Sequence, residues 1–377
     1  MKIQKSKPSK KHLWYTIPLV ASILFAGYSL FTAVVSEILP VKYVVAAIAL
    51  FILWAAGIIF LMYRKFATRR RKIIARTVAT IMAIVLLLAS IGGFYVLSRS
   101  LSTLSGLSDD KNAVSIETGK SFNIFISGID TYGDIQTQSR SDVNIVATVN
   151  PDTHKILLTT VPRDSYVSIA LGGNDGMDKL THAGNYGVES SMKTVARLLN
   201  TDIDAYVRIN FTSFIESIDT LGGVTINNPT AFTIDGQHFP VGQLELDGKK
   251  ALLYSRERKS LAGGDVDRGK NQQRVIQGIV DKMARVRSIS GFEALLNILG
   301  TSVQTNMSNK TIKSLINRQL DNPSSWQTDS YVLTGKGQTG GLPSYAMPNA
   351  QLYMYVLDKS SVEKATQDIN AHMEAKS

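Results

Sequence analysis

Three long runs without a charged side chain dominate the first quarter of the sequence. They extend over Leu13–Ser36, Tyr43–Tyr63 and Thr77–Ser98. Each is as long as the roughly 20 residues that an α-helix needs to cross a hydrocarbon core. A cleaved signal peptide has a shorter apolar stretch and is not followed by two more. Three successive helices without a polar face are not expected in a water-soluble core. We therefore predict a membrane anchor of three transmembrane helices within residues 1–98.

The basic residues are concentrated in the same quarter. The whole chain has 41 Lys and Arg against 30 Asp and Glu. Up to Leu97 there are 13 basic residues and a single acid, Glu37, so the remainder holds 28 basic and 29 acidic residues and is close to neutral. A DNA-binding domain needs a basic face of its own. The sequence therefore argues against nucleic acid as a partner, and the basic clusters are interpreted as topology signals and contacts with anionic lipid.

Lys and Arg also predict the orientation of the anchor in the lipid bilayer. They are frequent before the first span and in the second connection, Arg64–Arg76, whereas the first connection has only Lys42. By the positive-inside rule, the N-terminus and the second connection are cytoplasmic. Three spans then place everything after Ser98 outside. We predict a multi-pass cell-membrane protein with an extracellular C-terminal domain, and the absence of cysteine fits a domain that relies on its core instead of disulfides.

The extracellular part is predicted to be one mixed α/β domain. Residues 99–120 are predicted to be a linker, residues 121–360 the domain and residues 361–377 a C-terminal surface helix. Two β-branched runs joined by "PDTH" predict a hairpin. Helical spacing occurs in "VESSMKTVARLLN", "FTSFIESIDTLGG" and "NQQRVIQGIVDKMARV". Shorter helices are expected at Ala294–Leu299 and Thr311–Leu320. Strands mixed with helices on a single core predict an α-β-α layered fold.

Charged side chains collect where several of these runs begin or end. "SGID" ends in Asp130, "SRSD" supplies Arg140 and Asp142, and "VPRD" supplies Arg163. Loops at strand ends are the usual location of ligand groups in layered α/β folds. The stretch "SRERKSLAGGDVDRGKNQQRV" adds five more candidates, which are Arg256, Arg258, Asp265, Arg268 and Gln272.

The arginines suit a pyrophosphate group. Guanidinium is planar and permanently charged, and it binds phosphate oxygens through two hydrogen bonds. Arg256 and Arg258 point to one side if their segment, which is compatible with a strand or a helix, is extended. Arg268 and Gln272 share a helical face if a helix has begun by then, and a helix N-terminus favours negative charge.

The carboxylates suit a divalent metal ion beside that pyrophosphate. Asp130 and Asp142 are hard oxygen ligands of the kind that Mg²⁺ takes together with phosphate oxygens and water. Each motif also has a simpler interpretation. A single Arg–Asp motif is often only an ion pair between its two side chains. Asp265 is equally suited to capping the helix that follows it. The five histidines have no metal-ligand spacing, and no G-x-S-x-G motif supports a serine hydrolase.

In combination, these segments resemble the LytR-CpsA-Psr family, whose members attach glycopolymers to the peptidoglycan of Gram-positive bacteria. The resemblance covers about residues 121–360 and depends on the order and spacing of several stretches, none of which is specific alone. They are "FNIFISGID", "SRSDVNIVATVNP", "ILLTTVPRDSYV", "KLTHAGNYG", "LGGVTI" and "SRERKSLAGGDVDRGKNQQRVI". One departure is Asn271, because family members often have arginine at that position.

The resemblance implies a phosphotransferase that cleaves a polyprenyl-pyrophosphate-linked glycan and passes the glycan 1-phosphate to a sugar hydroxyl of peptidoglycan, with pyrophosphatase activity as a side reaction. It implies that Asp130 and Asp142 bind Mg²⁺, or Mn²⁺ in its place. The residues that it places on the pyrophosphate are Arg140, Arg163, Arg256, Arg258, Arg268 and Gln272. Our candidate catalytic residues are Arg163, Arg256, Arg258, Arg268 and Asp265.

Two other functions stay open at this point. A protein with the same pocket can bind a polyprenyl glycolipid without turning it over, or act as an envelope regulator of the transcriptional attenuator type. The near-neutral domain and its predicted extracellular location disfavour direct DNA binding. Turnover of a polyprenyl pyrophosphate separates the enzyme from both alternatives.

Overall fold

The computed structural model describes residues 10–36, 39–105, 113–285 and 303–376. Two compact units are present, Met1–Ser102 and Thr103–Ser377. The helix predicted at Ala294–Leu299 lies outside the described residues.

The first unit contains three helices, which are α1 (Lys10–Ser36), α2 (Val41–Tyr63) and α3 (Arg69–Ser105). All three are long and apolar enough to cross a membrane, as the three uncharged runs predict. Ala79 and Ala83 are buried one turn apart on α3, against Leu19 and Ile58 of the other two helices. Small side chains let membrane helices approach closely. Most of the remaining apolar surface is exposed in this unit, as expected for helices that contact lipid.

The second unit is built on a mixed sheet of six strands in the described chain, which are β1 (Phe122–Ile129), β2 (Ser141–Asn150), β3 (Lys155–Thr160), β6 (Ala205–Ile209), β11 (Gln304–Thr305) and β12 (Gln327–Val332). They are hydrogen-bonded in the order β11-β6-β1-β2-β3-β12. The central hairpin predicted around "PDTH" is confirmed, because β2 and β3 pair antiparallel from Ile145–Thr160 to Asn150–Lys155. β1 pairs antiparallel with β2 and parallel with β6.

Helices cover both faces of this sheet, so the predicted α-β-α layering is confirmed. On one face, α5 (Val188–Leu199) and α10 (Lys359–Glu374) enclose a cluster around the fully buried Phe125 and Val146. On the other face, α8 (Asp265–Ala284) packs Ile276 and Val280 over Ile145 and Leu158. Successive residues of a strand point to opposite faces, and because both faces are covered, burial is continuous over Asn144–Thr148 of β2 and Ile156–Thr160 of β3.

A smaller lobe with its own apolar cluster adjoins α8. Its helices are α6 (Phe211–Thr220) and α7 (Gly248–Arg256), and its core is centred on the fully buried Tyr254. The "ALLYSRER" segment, for which strand and helix were both open, therefore belongs mostly to a helix. The strands of the lobe are β7 Val224–Asn228, β8 Phe232–Ile234, β9 Gln237–Phe239 and β10 Gly242–Leu246.

Two short antiparallel ribbons lie near the edge of the sheet at which β3 ends. One consists of β4 (Tyr166–Ser168) and β5 (Met177–Lys179), and the other of β13 (Gly335–Thr339) and β14 (Tyr353–Leu357). A bridge between Ser165 and Tyr355 joins them. The remaining short helices are α4 (Leu180–Ala183) and α9 (Asn309–Asp321).

Both ends of the domain are more tightly attached than the sequence predicts. The last part of the expected linker contacts α9, because the backbone N–H of Ile116 donates to Thr311 at 2.9 Å and Val114 forms a bridge to Met307. The expected surface helix is α10, which buries Ala365 and Ile369 completely in the sheet's core. It is therefore part of the layered domain and not a separate tail.

Candidate active site

A β-bulge positions one of the two predicted metal ligands. The β1–β2 register passes from Gly128 opposite Val143 to Ile129 opposite Ser141, which leaves Asp142 without a partner in the ladder. A bulged residue is turned out of the regular alternation of the strand. Asp142 accepts a hydrogen bond from the Thr181 hydroxyl at 3.1 Å and pairs with Arg163.

The second predicted metal ligand lies one residue beyond the end of β1. Asp130 accepts a hydrogen bond from Ser139 at 3.2 Å and pairs with Arg140 at 3.4 Å. The Arg140 side chain is more than half exposed, whereas the Asp130 side chain is 29% exposed. Because β1 and β2 are antiparallel neighbours, Asp130 and Asp142 lie at the same edge of the sheet.

Arg163 occupies the centre of the site, just after β3 ends. It pairs with Asp142 on one side, and its Nε lies 3.7 Å from the carboxylate of Asp164. Asp164 is itself paired with Lys179 at 2.9 Å, and both of those side chains are largely buried. Sequence reasoning did not select Lys179 or Thr181, although the quoted "KLTHAGNYG" stretch contains both. The only sequence signal for them is a pair of polar residues where a short strand meets a short helix, and that pattern is too common in sequences to select a site.

The double glycine brings the start of α8 into the same site. Gly264 has φ +53° and ψ −117°, a conformation that glycine adopts without strain. A Cβ on Gly263 would meet the Asp267 carboxylate at 2.7 Å, and the Gly263 N–H donates to that carboxylate at 2.8 Å. Asp265 is the first helical residue and pairs with Arg268 at 2.8 Å. Its side chain does not cap the helix, so that simpler interpretation is wrong.

Arg256 and Arg258 enter from the end of α7. Arg256 is the last residue of that helix, and the extended Glu257 between the two is buried while both arginines are exposed. The extended backbone that their shared direction requires is thus present only at Glu257. Arg256 stacks on the ring of Phe211 at 5.0 Å.

Arg268 and Gln272 are one turn apart on the buried side of α8, as their spacing predicts. Gln272 donates to the carbonyl of Ser255 at 3.3 Å and so fixes α8 to the end of α7. Asn271, the departure from the family pattern, donates to Tyr254 O at 3.3 Å and accepts from Arg274 at 2.7 Å. It contributes a contact between helices where an arginine would contribute charge.

The site concentrates charge in a partly dry environment. Burial lowers the pKa of Arg268, and the positive charges of Arg163 and Arg258 lower it further against the opposing effect of Asp265 and Asp142. Burial raises the pKa of Asp265, although Arg268 opposes that shift. Arg163 and Arg258 place two further positive charges near the buried Arg268, and an anion bound there relieves the repulsion. The cluster is therefore suited to an anionic ligand.

Arg163 responds differently because more carboxylates surround it. Burial opposes its charge, but Asp142, Asp164 and Asp265 outweigh burial, and the pKa of Arg163 is raised. The ion pairs that the simpler interpretation expected are therefore present. What exceeds isolated pairing is the grouping of the pairs, since four basic residues and three carboxylates interact at this edge, which are Arg163, Lys179, Arg258 and Arg268 with Asp142, Asp164 and Asp265. The pair of Arg140 and Asp130 lies at the same edge of the sheet, and Arg256 lies against Phe211 instead of in this group.

The donor set fits a divalent cation in part. Asp130 and Asp142 supply carboxylate oxygens at one edge, each now bonded to an arginine and a hydroxyl. Within the described residues no group of three His, Cys, Asp or Glu is arranged to hold a metal by protein ligands alone. Mg²⁺ commonly binds through one or two carboxylates with phosphate oxygens and water completing its shell. The two aspartates therefore fit a cation that arrives with a phosphate ligand.

Comparison with known proteins agrees with this geometry. The LytR_cpsA_psr family model matches residues 97–370, which include the sheet, the bulge and the start of α8. The chain belongs to the LytR-CpsA-Psr family. It is 30% identical over 315 residues to the polyisoprenyl-teichoic acid–peptidoglycan teichoic acid transferase TagU of Bacillus subtilis, which covers 81% of this chain and 98% of that relative.

Solved structures of LytR-CpsA-Psr proteins have the same fold. The crystal structure of B. subtilis TagU matches with a TM-score of 0.52 at 32% identity, covering 68% of this chain and 99% of that one. A structure of TagT bound to LI-WTA matches with a TM-score of 0.53 at 27% identity, covering 68% of this chain and 92% of that one.

Proposed function

We propose that this LytR-CpsA-Psr protein is a membrane-anchored phosphotransferase, which moves a glycopolymer from a polyprenyl-pyrophosphate carrier to peptidoglycan. The observation that carries the proposal is the cluster of Arg163, Arg258 and Arg268, in which the side chains of Arg163 and Arg268 are largely shielded from water. A pyrophosphate supplies the negative charge that such a cluster favours. The family relatives named as teichoic acid transferases support the reaction type.

In the proposed reaction, a sugar hydroxyl of peptidoglycan attacks the phosphorus that bears the glycan. The bond from that phosphorus to the bridging oxygen breaks, polyprenyl phosphate leaves, and the hydroxyl proton is released. Arg163 and Arg268 are placed to stabilise the charge that develops on the phosphate oxygens, because both are largely shielded from water. Water in place of the sugar hydroxyl would give pyrophosphatase activity as a side reaction.

We propose Asp130 and Asp142 as the residues that hold Mg²⁺, or Mn²⁺, when the donor is bound. The ion would supply positive charge on the pyrophosphate oxygens. Asp142 is held in place by Thr181, and Asp130 by Ser139, so both carboxylates are positioned before a cation arrives. Such positioning lowers the cost of assembling a charged site.

Transfer is tested directly with the full chain in detergent. A short-chain polyprenyl-pyrophosphoryl glycan and purified peptidoglycan are incubated with the protein, and the peptidoglycan is digested and analysed by mass spectrometry. We expect muropeptides that carry glycan 1-phosphate, together with released polyprenyl phosphate. Donor that binds tightly but is never consumed would instead support a non-catalytic glycolipid-binding protein or an envelope regulator.

We also propose that the catalytic domain is extracellular and that Arg69–Lys72, at the start of α3, is cytoplasmic. Membrane helices and their basic connections support this orientation through the positive-inside rule. Protease added to intact protoplasts is expected to remove the domain, and a reporter fused after Ser377 is expected to be accessible from outside. A reporter inserted in the connection between α2 and α3, just before Arg69, is the matched control and should be protected. Full protection of the domain would reverse the orientation.

A further inference from the structure

Three exposed tyrosine rings lie across glycines near the site. A Cβ on Gly172 would come within 2.4 Å of Tyr186, one on Gly176 within 2.8 Å of Tyr345, and one on Gly337 within 2.6 Å of Tyr353. Each ring is therefore supported by a bare backbone on one side. The exposed fractions of the rings' residues are 37%, 46% and 46%, so each also presents surface to solvent. Large exposed aromatic groups of this kind mark interaction sites more often than isolated apolar residues do.

The chain on both sides of Tyr345 is hydrogen-bonded to a buried carboxylate. Asp178, which is 1% exposed, accepts hydrogen bonds from the Ser344 hydroxyl and the Ala346 N–H, both at 2.8 Å. These are the two neighbours of Tyr345, whose own N–H donates to Met177 at 3.1 Å. His182 also bonds to Asp178, at 2.8 Å. The chain is thus fixed on both sides of Tyr345, which limits the positions that its ring has to lose when a ligand binds.

The three rings form a row that ends at the pyrophosphate site. Tyr186 lies against Gly172 and Tyr345 against Gly176, and both glycines belong to the loop that joins β4 to β5. Burial raises the pKa of Tyr186, and Tyr345 raises it further. Tyr345 is bonded to one end of β5, and Lys179 at the other end lies 5.9 Å from the ring of Tyr353. Those ends are about 7 Å apart, given the rise of a strand.

The last ring of the row is in electrostatic contact with the arginine cluster. Burial raises the pKa of Tyr353, and the carboxylates of Asp164 and Asp265 raise it further while Arg258 lowers it. Lys179 joins the two regions, because its ammonium group pairs with Asp164 and lies near the Tyr353 ring. A chain that leaves the pyrophosphate site in this direction therefore meets Tyr353 first.

We propose that Tyr353, Tyr345 and Tyr186 form a saccharide-binding track that leads away from the pyrophosphate site. The C–H bonds on one face of a pyranose pack on the electron-rich face of an aromatic ring, and the tyrosine hydroxyl remains available for a sugar hydroxyl. This inference rests on the proposed function, since it assigns the sugar chain of a substrate to the row. The ligand chemistry is a saccharide chain, supplied either by the donor glycan or by a peptidoglycan strand.

A saccharide fits this row better than a bilayer surface does. Residues that insert into a bilayer present protruding apolar tips, whereas these tyrosine side chains pack against glycines and carry hydroxyl groups. The row is also continuous with polar residues of the site, Lys179 and Asp164, which a bilayer would have to dehydrate.

The experiment measures binding and turnover of the full chain in detergent for matched pairs of variants. Tyr345→Ala and Tyr353→Ala, singly and together, remove the rings, and Tyr345→Phe and Tyr353→Phe keep them. The probes are chitotetraose as a neutral saccharide and farnesyl pyrophosphate as a sugar-free ligand of the neighbouring site. Thermal unfolding of each variant verifies that it is folded. One aromatic contact contributes about 0.5–1.5 kcal/mol, so we expect the double alanine variant to lose about tenfold or more in chitotetraose affinity.

The expected pattern is a loss with alanine, little change with phenylalanine, and unchanged affinity for farnesyl pyrophosphate. In turnover, the KM for either the short-chain donor or the peptidoglycan acceptor should rise, and the one that rises identifies the source of the saccharide. If the rings only stabilise the local fold, the variants should lose affinity for both probes together. That result would overturn the track. A KM increase seen only for a long-chain donor presented in a bilayer would assign the rings to the membrane and also overturn it.

The binding measurement separates this inference from the proposed function. An unaltered protein that binds chitotetraose through the rings but never transfers glycan would contradict the transferase and leave the track in place. A protein that transfers glycan with unchanged constants in the alanine variants would contradict the track alone. Absence of measurable chitotetraose binding by the unaltered protein would also overturn it.

Discussion

Asp142→Asn is expected to reduce transfer at least a thousandfold while the domain still folds. The side chain lies at a bulge, where it bonds to Thr181 and Arg163 and contributes little to the apolar core. Asparagine keeps the size of the side chain but removes the charge that a cation and Arg163 both require. A thousandfold corresponds to about 4 kcal/mol of transition-state stabilisation, which is in the range for loss of one partner of a buried charged contact. The measurement is kcat with the short-chain donor at saturating Mg²⁺, with thermal unfolding alongside.

The matched control is Asp175→Asn, because Asp175 is also paired with an arginine but is 70% exposed. Exposed pairs contribute about 0–1 kcal/mol, so we expect its kcat to be unchanged. Asp130→Ala should behave like Asp142→Asn, since both carboxylates lie at the same edge. EDTA should stop turnover by the unaltered protein, and Mg²⁺ or Mn²⁺ should restore it. Full activity in an Asp130→Ala, Asp142→Ala double variant, with no effect of EDTA, would contradict the metal assignment.

The sequence contained enough information for the layers of this fold but not for the fine geometry of its site. Apolar periodicity predicts α5, α6 and α8, and the β-branched runs predict the central hairpin, because burial of one face produces those patterns. The bulge at Asp142 is different. A bulge depends on how two strands pair. The sequence of one strand does not show at which residue its partner strand leaves a residue unpaired.

The residues that were missed share a related cause. Lys179 and Thr181 reach Asp164 and Asp142 only after β5 folds back against the residues following β3. Tyr353 reaches Lys179 only because β14 is bridged to the same segment. These are contacts between short strands distant in sequence, and local periodicity does not predict such contacts. Arg258 and Arg268 could be predicted because arginines close together beside a double glycine are conspicuous in the sequence itself, and Arg163 because it lies in an Arg–Asp motif where a β-branched run ends.

Burial differs among Arg163, Arg256, Arg258 and Arg268, and the effect of replacing each of these four arginines by lysine is expected to follow burial. Arg268 is 9% exposed and Arg163 is 22% exposed in their side chains, whereas Arg256 and Arg258 are exposed. Lysine keeps the charge but loses the planar pair of donors that holds two phosphate oxygens. A charge-assisted contact contributes about 1.5–3 kcal/mol, so the loss of one slows the reaction by about ten- to a hundredfold. We expect Arg268→Lys and Arg163→Lys near the upper limit.

Arg256→Lys and Arg258→Lys are expected near tenfold, because water weakens the same contact at the mouth of the site. Arg197→Lys is the control. That arginine is about half exposed and paired with Asp175, far along the chain from the α7–α8 turn, so lysine should change kcat/KM by less than about twofold. The measurement is kcat/KM with the short-chain donor for all five variants. Equal and small effects at every position would mean that the arginines only form ion pairs within the protein. An arginine that binds a diphosphate through two hydrogen bonds at a buried position cannot be replaced by lysine without a loss of activity.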